Sequence, residues 1–273
     1  MIHLDNSKFG PWAIVTGASS GIGKEFARQI AASGINVVLV ARRLPLLEAW
    51  GQELAQRHGV QYRAVQADLS QPDFMKMLKP VTQELEIGLL VSNAGTGIPG
   101  EFLTIPEEML LQIVQLNAVS HMRLVHHYGR QLVQRGRGGI VLVSAMGAMD
   151  GIPYMANDAA SKAYVTSLGQ GLHEEFGKAG IHTTVVMPGP TETPIIEKFG
   201  LNNMPLPIKP MPVEQCVAEG LAALKANRAM HLTGRIYRIM SKVIPKAITR
   251  KMNSQMLAQG LVNGQPRLAH MTE

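Results

Sequence analysis

The sequence predicts an α/β protein, a single doubly wound parallel sheet with helices on both faces. Three observations predict it. Short apolar runs rich in β-branched residues alternate with longer helical patterns, which is the mark of βαβ units. Several of the short runs are apolar at consecutive positions, as strands covered on both faces must be. The chain has 273 residues, 46% of them hydrophobic and 17% charged, which suits one well-buried α/β domain.

The expected strands are 13–16, 36–41, 62–66, 89–92, 140–144 and 183–187. The expected helices are 22–33, 46–58, 72–85, 106–135 and 156–178. The stretch 106–135 holds one helix or two, and the pair Gly138-Gly139 is expected to end it. With no Ser/Gly linker and no internal repeat, residues 1–273 read as one domain. A core spans 8–190, a lid loop 191–212, and a helical basic extension 213–273. The lid is expected because Pro194, Pro205, Pro207, Pro210 and Pro212 block helix interiors. It follows the last strand of the core, where such sheets bind ligands. Its apolar residues Met204, Leu206, Ile208 and Met211 suit a lipophilic ligand. A helix near 213–226 should follow.

Composition narrows the setting. The one cysteine, Cys216, excludes an internal disulfide and points to a reducing, cytoplasmic compartment. Residues 1–10 read as short and polar, without the basic and apolar regions of a signal peptide. No run approaches the ~20 apolar residues that span a bilayer. The net charge of +6 is uneven, because Gly220 to Thr272 carries nine basic residues and no acid. Such an end can face an acidic partner or a membrane surface, or be a solvated helix face. Tyr237 is the one aromatic there, which argues against a nucleic-acid site.

The segment Thr16-Gly17-Ala18-Ser19-Ser20-Gly21-Ile22-Gly23 joins the first strand to the first helix. Its glycines let the backbone turn tightly and approach a pyrophosphate. The helix start then offers unsatisfied N–H groups to the anion. This is the phosphate turn of a Rossmann-type dinucleotide site. The second strand ends in Arg42-Arg43 rather than an acid. Arginines there suit a ribose 2′-phosphate, so NADP(H) is expected over NAD(H).

With these residues in place, the first 190 or so positions resemble the short-chain dehydrogenase/reductase family. Thr16–Gly23 is similar to its cofactor motif, with Thr16, Gly17, Ser19, Ser20, Gly21, Ile22 and Gly23 as implied contacts. Asp68, followed by Leu69, resembles the adenine-holding aspartate. Ser92-Asn93-Ala94-Gly95 is similar to Asn-Asn-Ala-Gly, with serine first. Asn117 and Lys162 match two positions of the catalytic tetrad. Pro188-Gly189, with Thr191 and Thr193, resembles the turn that meets the nicotinamide carboxamide. The resemblance implies a small-molecule substrate and a homodimer or homotetramer built on the helices 106–135 and 156–178.

The catalytic stretch departs from the family. Where Tyr-x-x-x-Lys is usual, the chain reads Asp158-Ala159-Ala160-Ser161-Lys162. The serine position falls on Ala145, and its neighbour Ser144 can serve only if the chain re-aims it, since neighbours on a strand face opposite ways. In the family the phenol protonates the substrate oxygen. An aspartate, with a reference pKa of ~3.9, is a poor substitute. Lys162 at i,i+4 favours its ionised form further. Tyr154 is a candidate replacement donor, although a pocket wall is the better expectation for it. None of the histidines His121, His126, His127, His173 and His182 has spacing that marks a metal ligand or base, and no metal is expected. Three functions follow: an oxidoreductase with non-standard or impaired proton delivery, a redox-silent NADP(H)-binding regulatory protein, or a lyase or isomerase with Asp158 as base.

Overall fold

A computed structural model of the chain describes residues 2–194 and 209–261. Seven strands form one parallel sheet in the order β3-β2-β1-β4-β5-β6-β7. They are β1 (Trp12–Thr16), β2 (Asn36–Ala41), β3 (Tyr62–Gln66), β4 (Ile87–Ser92), β5 (Gly138–Val143), β6 (Ile181–Met187) and β7 (Met230–Leu232). The order reverses between β1 and β4, which opens a crevice at their carboxyl ends.

Alternation along buried strands builds the two faces. Ala13 and Val15 join one apolar cluster and Ile14 the other, and Leu89 and Leu90 divide the same way. One layer rests under α2 (Gly21–Ala31), α3 (Leu44–His58) and the helix Val213–Lys225. The other rests under α4 (Met75–Thr82), α6 (Ser120–Arg135) and α7 (Ala156–Gly177). Consecutive apolar residues therefore all find cover, as the sequence pattern requires.

The N-terminal residues are not merely polar. Asn6–Phe9 forms the one-turn helix α1, and Leu4 and Phe9 are buried in the core. The stretch expected as one helix or two is α5 (Glu107–Val114) running through the π-helical turn Gln115–Val119 into α6. Gly136, not the pair Gly138-Gly139, ends it. Gly136 adopts φ 71° and its N–H caps the Leu132 and Val133 carbonyls. The pair instead opens β5. α4 is shorter than expected, because 71–74 form turns before Met75. The sequence reading placed no strand after 190, yet β7 pairs with β6 and extends the sheet. Residues 195–208, with Met204, Leu206 and Ile208 of the expected lid, lie outside the described residues. Its two ends meet through a bridge of Thr191 with Met211. Among the described residues no helix is long and apolar enough to cross a membrane.

α7 carries Lys162 and is seated by Gly169. A Cβ there would stand 2.3 Å from Val185 Cγ2 and 3.0 Å from Leu142 Cδ1. Gly171, two residues on, faces open space. Alanine gains about 1 kcal/mol of helix propensity over glycine, whereas overpacking costs about 1–3 kcal/mol. Urea unfolding should therefore show Gly171→Ala stabilising by up to about 1 kcal/mol and Gly169→Ala destabilising.

Candidate functional site

The crevice is stitched by one threonine. Thr16, the last residue of β1, accepts the backbone N–H groups of Asn93 (2.9 Å) and Ala94 (3.0 Å) on its Oγ1. Asn93 Nδ2 donates back to the Thr16 carbonyl at 2.9 Å. The carboxyl ends of β1 and β4 are thus locked together where the strand order reverses. Gly17 follows with φ 68°, and a side chain there would strike Asn93 Nδ2 at 2.8 Å. At Gly23 a Cβ would lie 2.3 Å from the Gly17 carbonyl oxygen, so α2 packs tightly under the turn. Ser20 is the N-cap of α2 and makes no side-chain capping bond. The first-turn N–H groups are left for an anion. Ile22 packs its side chain on the core beneath the turn.

Arg43, past the end of β2, donates from Nη2 to Ser19 Oγ at 3.1 Å. It brings a guanidinium to the turn itself. Exposed Arg42 offers its carbonyl to Gln66 Nε2 at 3.0 Å. Asp68 closes a local turn, accepting the N–H (3.0 Å) and hydroxyl (2.7 Å) of Ser70, while Leu69 is buried. On the far side, Thr191 Oγ1 donates to the Gly189 carbonyl (2.8 Å) and Thr193 Oγ1 to that of Thr191 (3.3 Å). A Cβ on Gly21 would come 3.3 Å from Thr193 Cγ2, so this turn lies against the start of α2. The Pro188 carbonyl is capped by Met146 N–H at 3.0 Å. These elements fit a dinucleotide: an uncapped helix start, turns whose glycines leave room for close approach, and a guanidinium beside them.

Lys162 stands on α7 with Nζ donating to the Val143 carbonyl at the end of β5, 3.0 Å away. Burial pulls its pKa from the usual 10.5 to about 8, against the opposing pull of Asp158. Asp158, one turn earlier and buried, accepts the Ile98 N–H on Oδ1 at 3.3 Å. Asn117 lies in the π-helical turn, a feature frequent at functional sites. Its amide brackets Thr96, donating to the carbonyl (2.8 Å) and accepting the N–H (3.0 Å). It also donates to Ser161 Oγ (3.1 Å), which donates to the Asp158 carbonyl (2.7 Å). A Cβ at Gly95 would lie 2.8 Å from Lys162 Nζ and 3.1 Å from Asn117 Oδ1. Lys162 and Asn117 thus both lie against the Gly95 backbone.

Ser144 is not re-aimed. Its hydroxyl donates to the Lys162 carbonyl (2.9 Å) and shares a hydrogen with Thr166 Oγ1 (2.7 Å), so it anchors α7. It is removed from the candidate substrate-holding groups. Tyr154 has φ 63°, a strained setting for a bulky residue, with its carbonyl capped by Gly100 N–H at 2.8 Å. It lines a small pocket with Ile98, Phe102, Leu110 and Asp158, as a wall. His121, which its spacing does not mark as a ligand or base, takes a core position. It is fully buried, with Nε2 3.1 Å from the Ala94 carbonyl and Nδ1 without a hydrogen-bond partner among the described residues. Burial, with Lys162 nearby, holds its pKa down to about 3, so it is a neutral donor fixing the Ala94 backbone. Its i,i+4 spacing from Asn117 was the available signal. Among the described residues no group of His, Cys, Asp and Glu could hold a metal ion.

A doubly wound sheet with this turn at its switch point defines a dinucleotide-binding oxidoreductase fold. The family model for short chain dehydrogenase matches residues 11–203. The 7beta-hydroxysteroid dehydrogenase of Mediterraneibacter gnavus is 30% identical over 198 residues, 72% of this chain and 74% of that protein. A short-chain dehydrogenase from Sphingobium yanoikuyae, solved in complex with NADPH, superposes with a TM-score of 0.77 at 29% identity, covering 94% of this chain and 97% of that one. The bulky-bulky ketone specific alcohol dehydrogenase from Comamonas testosteroni gives 0.74 at 28% identity, over 95% and 96%. The chain belongs to the short-chain dehydrogenase family, whose members bind NAD(P) and act on small molecules.

The lysine has a measurable signature. Its folded pKa of about 8 lies below the unfolded 10.5, so below pH 8 the folded state carries the full desolvation cost. That cost is relieved as pH rises from 8 to 10.5. Thermal melts should show Lys162→Met more stable than the parent near pH 7, with the gap narrowing across that window.

Proposed function

We propose that this chain is an NADP(H)-dependent oxidoreductase for a small lipophilic carbonyl or alcohol, with impaired proton delivery. The observation that carries the reading is the convergence at Gly95, where Lys162 Nζ and Asn117 Oδ1 meet while Asp158 precedes the lysine by one turn. The dinucleotide, when bound, supplies hydride from its nicotinamide ring. Arg43, beside Ser19, holds the 2′-phosphate of the ribose, with Arg42 adjacent. Thr16, Gly17, Ser20, Gly21 and Gly23 shape the pyrophosphate turn. Asp68 and Leu69 hold the adenine end, and Asn93, Ala94, Pro188, Gly189, Thr191 and Thr193 flank the nicotinamide end.

Lys162 is mostly protonated at neutral pH and orients the nicotinamide ribose. Asn117 and Ser161 carry a hydrogen-bonded path past Asp158. Asp158 stands where relatives in the family carry a phenol, and it already acts as an acceptor toward Ile98. The Lys162 ammonium one turn on favours the ionised carboxylate, which has no proton to give a carbonyl, and Ala145 offers no hydroxyl to hold the substrate oxygen. Losing such general acid help costs roughly 10²–10⁴-fold in rate. Apolar groups in the neighbouring pocket (Ile98, Phe102, Ile105, Leu110) support a lipophilic substrate. The steroid and bulky-ketone relatives support it too. A homodimer or homotetramer in a cytoplasmic setting completes the reading.

The anchoring of Ser144 in α7 favours a second reading, a redox-silent NADP(H)-binding regulatory protein. One experiment separates them. NADPH binding is followed by fluorescence, and its oxidation by absorbance with a panel of lipophilic ketones. The parent should bind NADPH and turn over slowly, and Asp158→Tyr with Ala145→Ser should gain roughly 10²-fold or more. Intact binding without turnover in either protein would replace the enzyme by the regulator. Substrate consumed with NADPH unchanged would point instead to Asp158 as a base in elimination or isomerisation. Separately, Arg43→Ala should weaken NADPH about tenfold and leave NADH nearly unchanged, read by the same titration.

A further inference from the structure

The helix Arg235–Val243 carries its apolar stripe on the outside. Ile236, Ile239 and Val243 fall at i, i+3 and i+7 and are 50%, 52% and 73% exposed. An amphipathic helix of a folded domain normally turns such a stripe inward. Here other side chains fix the helix to the fold. Tyr237 is buried, its ring over Gly189 and Gly234, and Arg238 Nη1 donates to the Leu232 carbonyl at 2.8 Å while pairing with Glu219. Ile248 and Met252 on the following helix, Lys246–Leu261, are exposed as well. Exposed cations Arg235, Lys242, Arg250 and Lys251 stand among these side chains. From Gly220 to Thr272 the sequence contains no acid.

We infer that this face docks onto an anionic lipid surface, apolar stripe into the headgroup boundary and cations against the headgroups. Charge complementarity selects the occupant. A second copy would bring one basic surface against another, which electrostatic repulsion opposes. A protein groove seats the apolar face of one amphipathic helix, whereas here exposed apolar residues are spread over two successive helices. The Tyr237 and Arg238 sides are already inside the fold. A planar anionic surface needs one apolar face with flanking cations, and that is what the helix offers. The proposal stands independently of whether redox chemistry survives.

The test is co-sedimentation of the full chain with phosphatidylcholine vesicles and with vesicles mixed with phosphatidylglycerol, at low and high salt. The chain should partition onto the mixed vesicles and come off in high salt. Ile239→Glu with Val243→Glu should lower that partition about tenfold or more, with the melting temperature and NADPH affinity unchanged because both side chains face solvent. Failure to bind mixed vesicles, equal binding to phosphatidylcholine alone, or binding indifferent to the double substitution would each overturn it. So would a concentration-dependent oligomer in light scattering that the double substitution dissolves, which would make the face a contact between copies.

Discussion

The site depends on one buried ammonium. Lys162 Nζ is held by the carbonyl that ends β5, beside the Gly95 backbone and one helical turn from a carboxylate. Taking that charge out of water is unfavourable, and burial outweighs the neighbouring acid in setting its pKa. The surroundings have to hold it there. Gly169 lets α7 press onto β6, Ser144 and Thr166 fasten the Lys162 carbonyl, and the absence of a Cβ at Gly95 makes room for the amine. Ser144 thus has a structural occupation, its hydroxyl engaged with the Lys162 carbonyl and Thr166.

The second constraint is the crevice. Parallel pairing of β1 with β4 creates it, and Thr16 fastens both strand ends with a single side chain. Cofactor cradle and lysine are then brought together by the same two backbones, since Asn93, Ala94 and Gly95 follow β4 directly. An intact glycine turn next to an aspartate at position 158 is physically coherent. The turn draws on backbone geometry and glycines, whereas position 158 is one side chain on α7.

Much of this was legible in the sequence because consecutive apolar residues and a glycine turn have few structural meanings. β2 and β3 fall at their expected residues, and the helix after Thr16 starts where the turn ends. What was missed has physical reasons. β7 is three residues long, and its Met-His-Leu alternation is too short to mark a strand. Phe9 and Leu4 are apolar singles whose burial is tertiary, Phe9 lying against Gly139 of β5 and Leu4 tied by its N–H to Ser33 beyond α2. The glycine that ends α6 is Gly136, whose left-handed φ of 71° caps the helix, and an adjacent Gly-Gly pair competes with it for that reading. His121 shows its place only once the helix bearing Asn117 is seated against Ala94. The direction of Ser144 depended on α7 lying close enough to take its hydroxyl.

In the proposed function no tyrosine hydroxyl delivers the substrate proton, and Tyr154 only lines the pocket. The most direct measurement is NADPH oxidation by Tyr154→Phe beside the parent, with the same ketone and the same cofactor occupancy. Identical rates are expected, however low. A fall of about 10²-fold or more in the phenylalanine variant would make Tyr154 the acid and contradict it.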